Sequence, residues 1–216
     1  MELKEGARQL VHGDEVSLAM IGARKGTVNE DKFWPVDLLF PQKVSGGIDV
    51  SSCDEGYAAL LKGLVESIRP SIIFESGTHR GRSTRAIAEG CINNGIGTIY
   101  TVDMDDYGLR ISGALDENMN DIVVQVVGHT PEAYSDSPLK ELDGIELAHI
   151  DGDHSGQGLY EDMKYVSERA HKDGCIVIVD NTADPMWPDV RELLDKQNFE
   201  KVTLPTLCGA DIYRIN

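Results

Sequence analysis

The chain has 216 residues, of which 41% are hydrophobic and 26% are charged, and its formal net charge is −17. This length and composition are typical of one globular domain with, at most, a short extension. The negative charge opposes non-specific binding to the phosphate backbone of nucleic acids. The first residues lack the apolar core of a signal peptide, and no apolar run approaches the ~20 residues of a membrane span. We therefore expect a cytoplasmic protein with no nucleic-acid or membrane partner.

From about residue 56 onward, short apolar runs alternate with segments of helical spacing. Apolar periodicity and stop signals predict helices over 56–69, 82–94, 159–170 and 189–196, and weaker ones over 106–118 and 131–141. Strands are predicted over 71–75, 98–102, 122–127, 145–150, 175–179, 200–204 and 210–215. The last two strands have the spacing of a hairpin.

The predicted strands are nearly continuous in Val and Ile, which indicates a parallel sheet covered by helices on both faces. Because crossovers are right-handed, the expected layout is a Rossmann-like doubly wound α/β fold, with an antiparallel edge from the final hairpin. Residues 56–216 would form this domain. Residues 1–55 read as an irregular extension, either a substrate lid or an arm used in a homo-oligomer.

A glycine-containing loop follows the first predicted strand, in the run ESGTHRGRST from Glu75. Gly77 and Gly81 allow a tight turn and a close approach of the backbone to a ligand. The spacing is neither the GxGxxG of dinucleotide-binding folds nor the GxxxxGK[ST] of phosphate loops. An acidic strand end followed by GxxxG suits a cofactor with a cationic amino-acid tail, which the Glu75 carboxylate attracts. A plain strand–helix turn is the alternative.

Asp103 ends the second predicted strand, 22 residues after Gly81. An acid at about this distance accepts hydrogen bonds from both hydroxyls of an adenosine ribose. The alternative is a solvated strand-end aspartate, since Asp105 and Asp106 follow directly. The glycine loop and Asp103 together favour an adenosine-containing cofactor.

Acidic residues follow the fourth and fifth predicted strands, as DGDHS from Asp151 and as DNT from Asp180. Parallel strands end at one edge of a sheet, so Asp151, Asp180 and Asn181 are candidate oxygen ligands for Mg²⁺ or a similar ion. His154 is a candidate general base because imidazole titrates near neutral pH, and Asp153 is a second candidate catalytic residue. Helix capping and turn formation are the alternatives for these residues.

Four runs carry a resemblance to a known family: FESGTHRGRST, TVDMD, HIDGDHSGQGLYEDM and GCIVIVDNT. They resemble the class I S-adenosylmethionine-dependent methyltransferases, in the cephalosporin-hydroxylase and macrocin-type O-methyltransferase branch. They are also similar to the metal-dependent catechol and caffeoyl-coenzyme A O-methyltransferases. The resemblance implies a seven-stranded sheet, mostly parallel, with an antiparallel C-terminal strand. It also implies residues that bind S-adenosylmethionine, namely Glu75, Gly77, Thr78, Gly81, Ser83, Asp103 and Asp151.

The resemblance further implies a divalent ion at Asp151, Asp180 and Asn181, with His154 where the catechol-type enzymes carry a catalytic lysine. The chain departs from the branch at two points. Gly156 follows DHS, where an aromatic residue is common, and His129 stands in a GHT run where GDS is common. We take His129 as the residue of this loop that lines the adenine pocket.

The expected function is S-adenosylmethionine-dependent O-methylation of a small hydroxylated acceptor, such as a sugar, a glycoside or a phenol, assisted by Mg²⁺. Three other readings stay open. One is a nicotinamide-dependent oxidoreductase, which the glycine spacing disfavours. The second is a metal-dependent hydrolase that uses the DGDH and DN runs. The third is a non-catalytic Rossmann-like binding module.

Overall fold

The structure is a computed structural model that describes residues 55–106, 115–182, 201–204, 206 and 209–215. Helices and strands alternate along most of this length. The helices are α1 (Glu55–Ile68), α2 (Arg82–Asn94), α3 (Glu117–Asn120), α4 (Ala133–Asp136) and α5 (Gly156–Arg169), with a 3₁₀ turn at Pro138–Glu141. The strands are β1 (Ile72–Ser76), β2 (Thr98–Asp103), β3 (Val123–Val127), β4 (Leu147–Ile150), β5 (Cys175–Asp180), β6 (Lys201–Leu204) and β7 (Ala210–Ile215).

Helix α2 shows how local sequence sets an element's bounds. Gly81 precedes it with a φ of 77°, and Gly95 follows it with a φ of 66°, so both glycines adopt the left-handed conformation that side chains disfavour. The amides at the C-terminal end bond to the carbonyls of Cys91 and Ile92, which closes the last turn. The prediction of this helix over 82–94 is confirmed to the residue.

The seven described strands form one sheet in the order β3-β2-β1-β4-β5-β7-β6. The pairs β1–β2, β2–β3, β1–β4 and β4–β5 are parallel, and β7 is antiparallel to both β5 and β6. The predicted doubly wound sheet with an antiparallel C-terminal edge is therefore confirmed. The chain order reverses at β1, so the carboxyl ends of β1, β2 and β4 lie beside the switch point where such folds bind ligands.

Both faces of the sheet are covered. Phe74 of β1 lies in a core with Tyr134 and Tyr165, whose ring centroids are 6.0 and 5.0 Å from its own. Helix α1 packs closely against α2, because Gly90 leaves no Cβ to collide with the side chain of Val65. The aromatic core on one face and the α1–α2 layer on the other hold the strands in place, and with them the carboxyl edge of the sheet.

Of the helix predicted over 106–118, the structure describes residues 106 and 115–118, and among these only Glu117 and Asn118 are helical. Asp116 is extended, with a φ of −84° and a ψ of 176°, and its side chain accepts a hydrogen bond from the Met119 amide. This cap starts the short helix α3 at a point where the prediction had a helix ending. Residues 1–54 of the N-terminal extension, residues 107–114 and the helix predicted over 189–196 lie outside the described residues. None of the described helices combines the length and the apolarity needed to cross a membrane.

Candidate functional site

The loop after β1 packs tightly against the loop after β4. Gly77 has a φ of 88°, and its amide donates to the carbonyl of Val102 at 2.9 Å. A Cβ at Gly77 would overlap the backbone carbonyl of Asp151 and lie 2.9 Å from the amide nitrogen of Gly152. Only glycine combines this conformation with so close an approach. The structure thus brings the predicted glycine loop and the predicted acidic loop together.

The remainder of the glycine loop is a tight turn that leads into α2. The amide of Gly81 donates to the carbonyl of Thr78 at 2.8 Å, and Gly81 directly precedes the helix. Thr78 is buried, with its hydroxyl 2.5 Å from that of Thr101. Ser83 is also buried, in the first turn of α2. Because α2 follows β1 through this short turn, its N-terminal end lies at the carboxyl edge of the sheet, and a helix N-terminus favours an anionic ligand group.

Glu75 lies beneath this loop with no exposed surface. One carboxylate oxygen accepts from the hydroxyls of Thr84 at 2.6 Å and Thr101 at 2.7 Å. The other lies 3.3 Å from Nδ1 of His149. Glu75 thus ties β1 to β2, β4 and α2. In this conformation its charge reaches a ligand at the edge through the electrostatic field, because its oxygens already have internal partners.

His149 is a buried residue of the site that sequence reasoning missed. Its Nε2 lies 3.1 Å from the hydroxyl of Tyr57, so Tyr57, His149 and Glu75 form a continuous buried chain. Burial opposes the charged imidazole, but the hydrogen bond and charge of Glu75 outweigh it and raise the pKa of His149. The sequence does contain a signal for His149, because it is a histidine within an otherwise apolar strand. A position that serves only to fill the core would more often carry Val or Ile.

Asp103 holds the glycine loop and the loop after β2 together. One carboxylate oxygen accepts from the His79 amide at 2.8 Å, and the other accepts from the Asp105 amide at 3.1 Å. Asp103 is half-buried at the strand end, where the ribose-binding prediction places it. His129 is exposed in the next loop, and its carbonyl accepts from the amide of Ala133 at 2.8 Å.

Asp151, His154 and Asn181 form a hydrogen-bonded cluster at the ends of β4 and β5. Nδ2 of Asn181 lies 2.9 Å from Oδ1 of Asp151, and Nε2 of His154 lies 3.1 Å from the same oxygen. Asn181 adopts a φ of 56°, a left-handed conformation that asparagine tolerates better than most residues. The hydrogen bond that Nε2 of His154 donates to Asp151 outweighs burial and raises the pKa of His154. The imidazole is therefore oriented, and its raised pKa makes it a stronger base.

Asp180 and Asp153 border this cluster in different ways. Burial, followed by the charge of Asp151, raises the pKa of Asp180 to about 7. The Asp180 carboxylate also accepts from the amide of Asn181 at 2.8 Å. Asp153 is exposed and accepts from the amide of Ser155 at 2.9 Å, and the Ser155 hydroxyl caps α5. The structure thus gives Asp153 a place in the turn before α5.

The residues predicted to hold a metal ion are suitable in donor chemistry. Asp151 and Asp180 are carboxylates close enough for the charge of one to raise the pKa of the other, and Asn181 supplies a carboxamide. Within the described part of the chain, however, no three His, Cys, Asp or Glu side chains converge as a metal site. An ion there would take further ligands from Asn181, water or substrate.

Two comparisons with known proteins give matches. Residues 74–182 match the family described as a methyltransferase domain, a range that runs from β1 to the end of β5. No curated protein matches the sequence.

Several solved structures share the fold. An O-methyltransferase from Bacillus cereus in complex with S-adenosylhomocysteine is 15% identical, with 93% of this chain and 97% of that one covered and a TM-score of 0.65. The O-methyltransferase TomG from Streptomyces achromogenes, involved in tomaymycin synthesis and in complex with S-adenosylmethionine, is 18% identical, with coverages of 98% and 94% and a TM-score of 0.64. The Podospora anserina methyltransferase PaMTH1, bound to S-adenosylhomocysteine, is 15% identical, with coverages of 95% and 98% and a TM-score of 0.61.

Proposed function

The chain belongs to the methyltransferase-domain family, and from that premise we propose that it transfers a methyl group from S-adenosylmethionine to a hydroxyl oxygen of a small acceptor. The observation that carries the proposal is the cluster of Asp151, His154 and Asn181, which orients His154 on the loop after β4 that packs against Gly77. This cluster follows β4 and β5, beside the switch point of the sheet, so His154 would lie next to a cofactor bound there.

The cofactor would lie across the carboxyl ends of β1, β2 and β3. The turn at Gly77 and the N-terminal end of α2 suit the carboxylate of the methionine tail, and Asp103 suits the ribose hydroxyls. Structures of similar fold that hold S-adenosylmethionine or S-adenosylhomocysteine support this choice of cofactor. The residues proposed to form this site are Glu75, Gly77, Thr78, Gly81, Ser83, Asp103, His129 and Asp151.

The proposed reaction is an in-line displacement. A lone pair of the acceptor oxygen forms the new bond to the methyl carbon, while the sulfur keeps the electrons of the breaking bond and becomes the thioether of S-adenosylhomocysteine. The acceptor proton passes to Nδ1 of His154, because Nε2 already donates its own proton to Oδ1 of Asp151. Asp151 and Asn181 fix the orientation of the ring. Most of the rate enhancement would come from alignment of the two reactants.

Metal assistance is the finer part of the proposal. Asp151, Asp180 and the carboxamide oxygen of Asn181 would hold a divalent ion. Such an ion would supply Lewis acidity that lowers the pKa of the acceptor hydroxyl. The juxtaposition of Asp151 and Asp180 supports this assignment, because two neighbouring half-buried carboxylates repel each other and a shared cation relieves that repulsion.

Isothermal titration with S-adenosylmethionine and S-adenosylhomocysteine, with and without Mg²⁺, tests the cofactor. We expect micromolar binding of both compounds. An acceptor screen with methyl-labelled cofactor then tests transfer, with His154→Gln as the matched variant. It should lose transfer by about 10²–10⁴-fold and keep cofactor affinity, because His154 handles only the acceptor proton. Absence of binding with and without Mg²⁺ would refute the methyltransferase proposal and favour a hydrolase or a binding module.

A further inference from the structure

A second buried carboxylate, Asp162, lies behind the cofactor loops and has no part in the chemistry proposed above. It is on helix α5 and has no exposed surface. Ser76 donates its hydroxyl to Oδ2 of Asp162 at 2.6 Å, and Tyr134 donates its hydroxyl to Oδ1. The two donors come from different chain segments, β1 and α4. A single carboxylate on α5 therefore joins three segments that are distant in sequence.

The bond to Ser76 reaches two of the cofactor loops. Ser76 directly precedes Gly77, and its carbonyl accepts from the amide of Asp151 at 2.9 Å. A Cβ at Gly152 would lie 3.2 Å from the Ser76 hydroxyl oxygen and 3.5 Å from Oδ2 of Asp162. The backbone at Gly152 thus rests directly on this hydrogen bond. Moving the Asp162 carboxylate would shift the loops after β1 and β4 together.

The bond to Tyr134 reaches the loop after β3. The amide of Tyr134 donates to the carbonyl of Pro131 at 3.0 Å, so the tyrosine is fixed to the turn that follows His129. Its ring stacks on that of Tyr165, with centroids 4.0 Å apart and planes inclined by 20°. Stacking restricts the tilt of the Tyr134 ring, and the hydrogen bond to Asp162 prevents the ring from sliding within its own plane. The position of this loop relative to α5 is thereby set.

We propose that Asp162 is a positioning residue for the cofactor: its carboxylate holds the loops after β1, β3 and β4 in the mutual arrangement that binds S-adenosylmethionine, without touching it. The inference rests on the proposed function. Binding sites lose affinity when their contacts shift by more than about 0.5 Å. Three separate loops contribute to the proposed cofactor site. Because the Asp162 carboxylate is bonded behind all three, it determines whether they converge.

A pair of substitutions with the same chemistry separates positioning from general stability. Tyr134→Phe and Tyr165→Phe each delete one hydroxyl from the same stacked pair of rings, but Tyr165 donates to the carbonyl of Leu139 at 2.6 Å instead of to Asp162. We expect Tyr134→Phe and Asp162→Asn to weaken S-adenosylhomocysteine binding about tenfold, the change that a lost hydrogen bond to a carboxylate supports. Tyr165→Phe should leave the affinity within about twofold at a comparable loss of thermal stability.

Amide hydrogen exchange on the ligand-free protein supplies a second readout. Asp162→Asn and Tyr134→Phe should speed exchange in residues 77–81 and 128–134, while α1 and α2 keep wild-type protection. Equal affinity losses in the two tyrosine variants, or unchanged exchange in these loops, would overturn the inference. If the wild-type chain bound neither S-adenosylmethionine nor S-adenosylhomocysteine, the proposed function would fail. The exchange data would still decide whether Asp162 positions the loops. Should Asp162→Asn fail to fold, the two tyrosine variants decide both questions.

Discussion

Substituting alanine for Gly77 tests the close approach of the two loops on which the site depends. Two costs add at this position. The residue has a φ of 88°, and an L side chain in left-handed backbone costs about 1–2 kcal/mol. The new Cβ would also overlap the carbonyl of Asp151, and overpacking of this kind costs about 1–3 kcal/mol. We therefore expect Gly77→Ala to lower the free energy of unfolding by about 2–5 kcal/mol.

Two other glycines separate these costs. Gly95 has a φ of 66° but has no atom within 4 Å of a built Cβ, so Gly95→Ala should show the conformational cost alone, about 1–2 kcal/mol. Gly63 lies inside α1 with the same open space, and Gly63→Ala should stabilise the protein by about 0.5–1 kcal/mol because alanine favours the helix. The difference between Gly77→Ala and Gly95→Ala then measures the overlap.

Urea unfolding of the four proteins, followed by circular dichroism, gives these free energies directly. Titration of each with S-adenosylhomocysteine shows whether the same overlap disturbs the site. We expect Gly77→Ala alone to lose affinity, because it alone pushes the Asp151 loop away from the end of β1. A Gly77→Ala variant no less stable than Gly95→Ala would refute the tight packing of the two loops.

The other predictions concern buried charge. Burial raises the pKa of Asp162 to about 6 from 3.8, so the native state holds this proton more tightly than the unfolded chain. The free energy of unfolding of wild type, relative to that of Asp162→Asn, should therefore rise by up to about 3 kcal/mol as the pH falls from about 7 to about 4. A difference between the two unfolding free energies that does not change with pH would contradict this. Thr84→Val removes a hydroxyl from the buried Glu75 carboxylate and should cost about 1.5–3 kcal/mol in urea unfolding. Ser67→Ala is its control, since it removes an exposed hydroxyl and should stay within about 0.5 kcal/mol.

The sequence was informative about the fold because its signals are local. Glycines bracket α2, Pro70 follows α1 closely, and runs of Val and Ile coincide with the central strands. These features act on neighbouring residues, so the elements follow without knowledge of the rest of the chain. The bounds predicted for the helix over 106–118 do not match the described helix α3, which begins at Glu117. The cap at Asp116 is also a local signal, but the prediction gave more weight to a weak apolar period.

The site was only partly predictable, because its internal partners are set by register between strands. Glu75 and His149 are 74 residues apart, yet they are paired neighbours on β1 and β4, and this places the imidazole against the carboxylate. Sequence reasoning read Glu75 as a residue that meets the ligand's charge, since a strand-end acid next to a glycine loop gives no sign of an internal partner. Changing His149 to an apolar residue would leave Glu75 a buried carboxylate without its imidazole partner. The charge beneath the proposed cofactor loop is thus a property of a cross-strand pair, and neither residue alone predicts it.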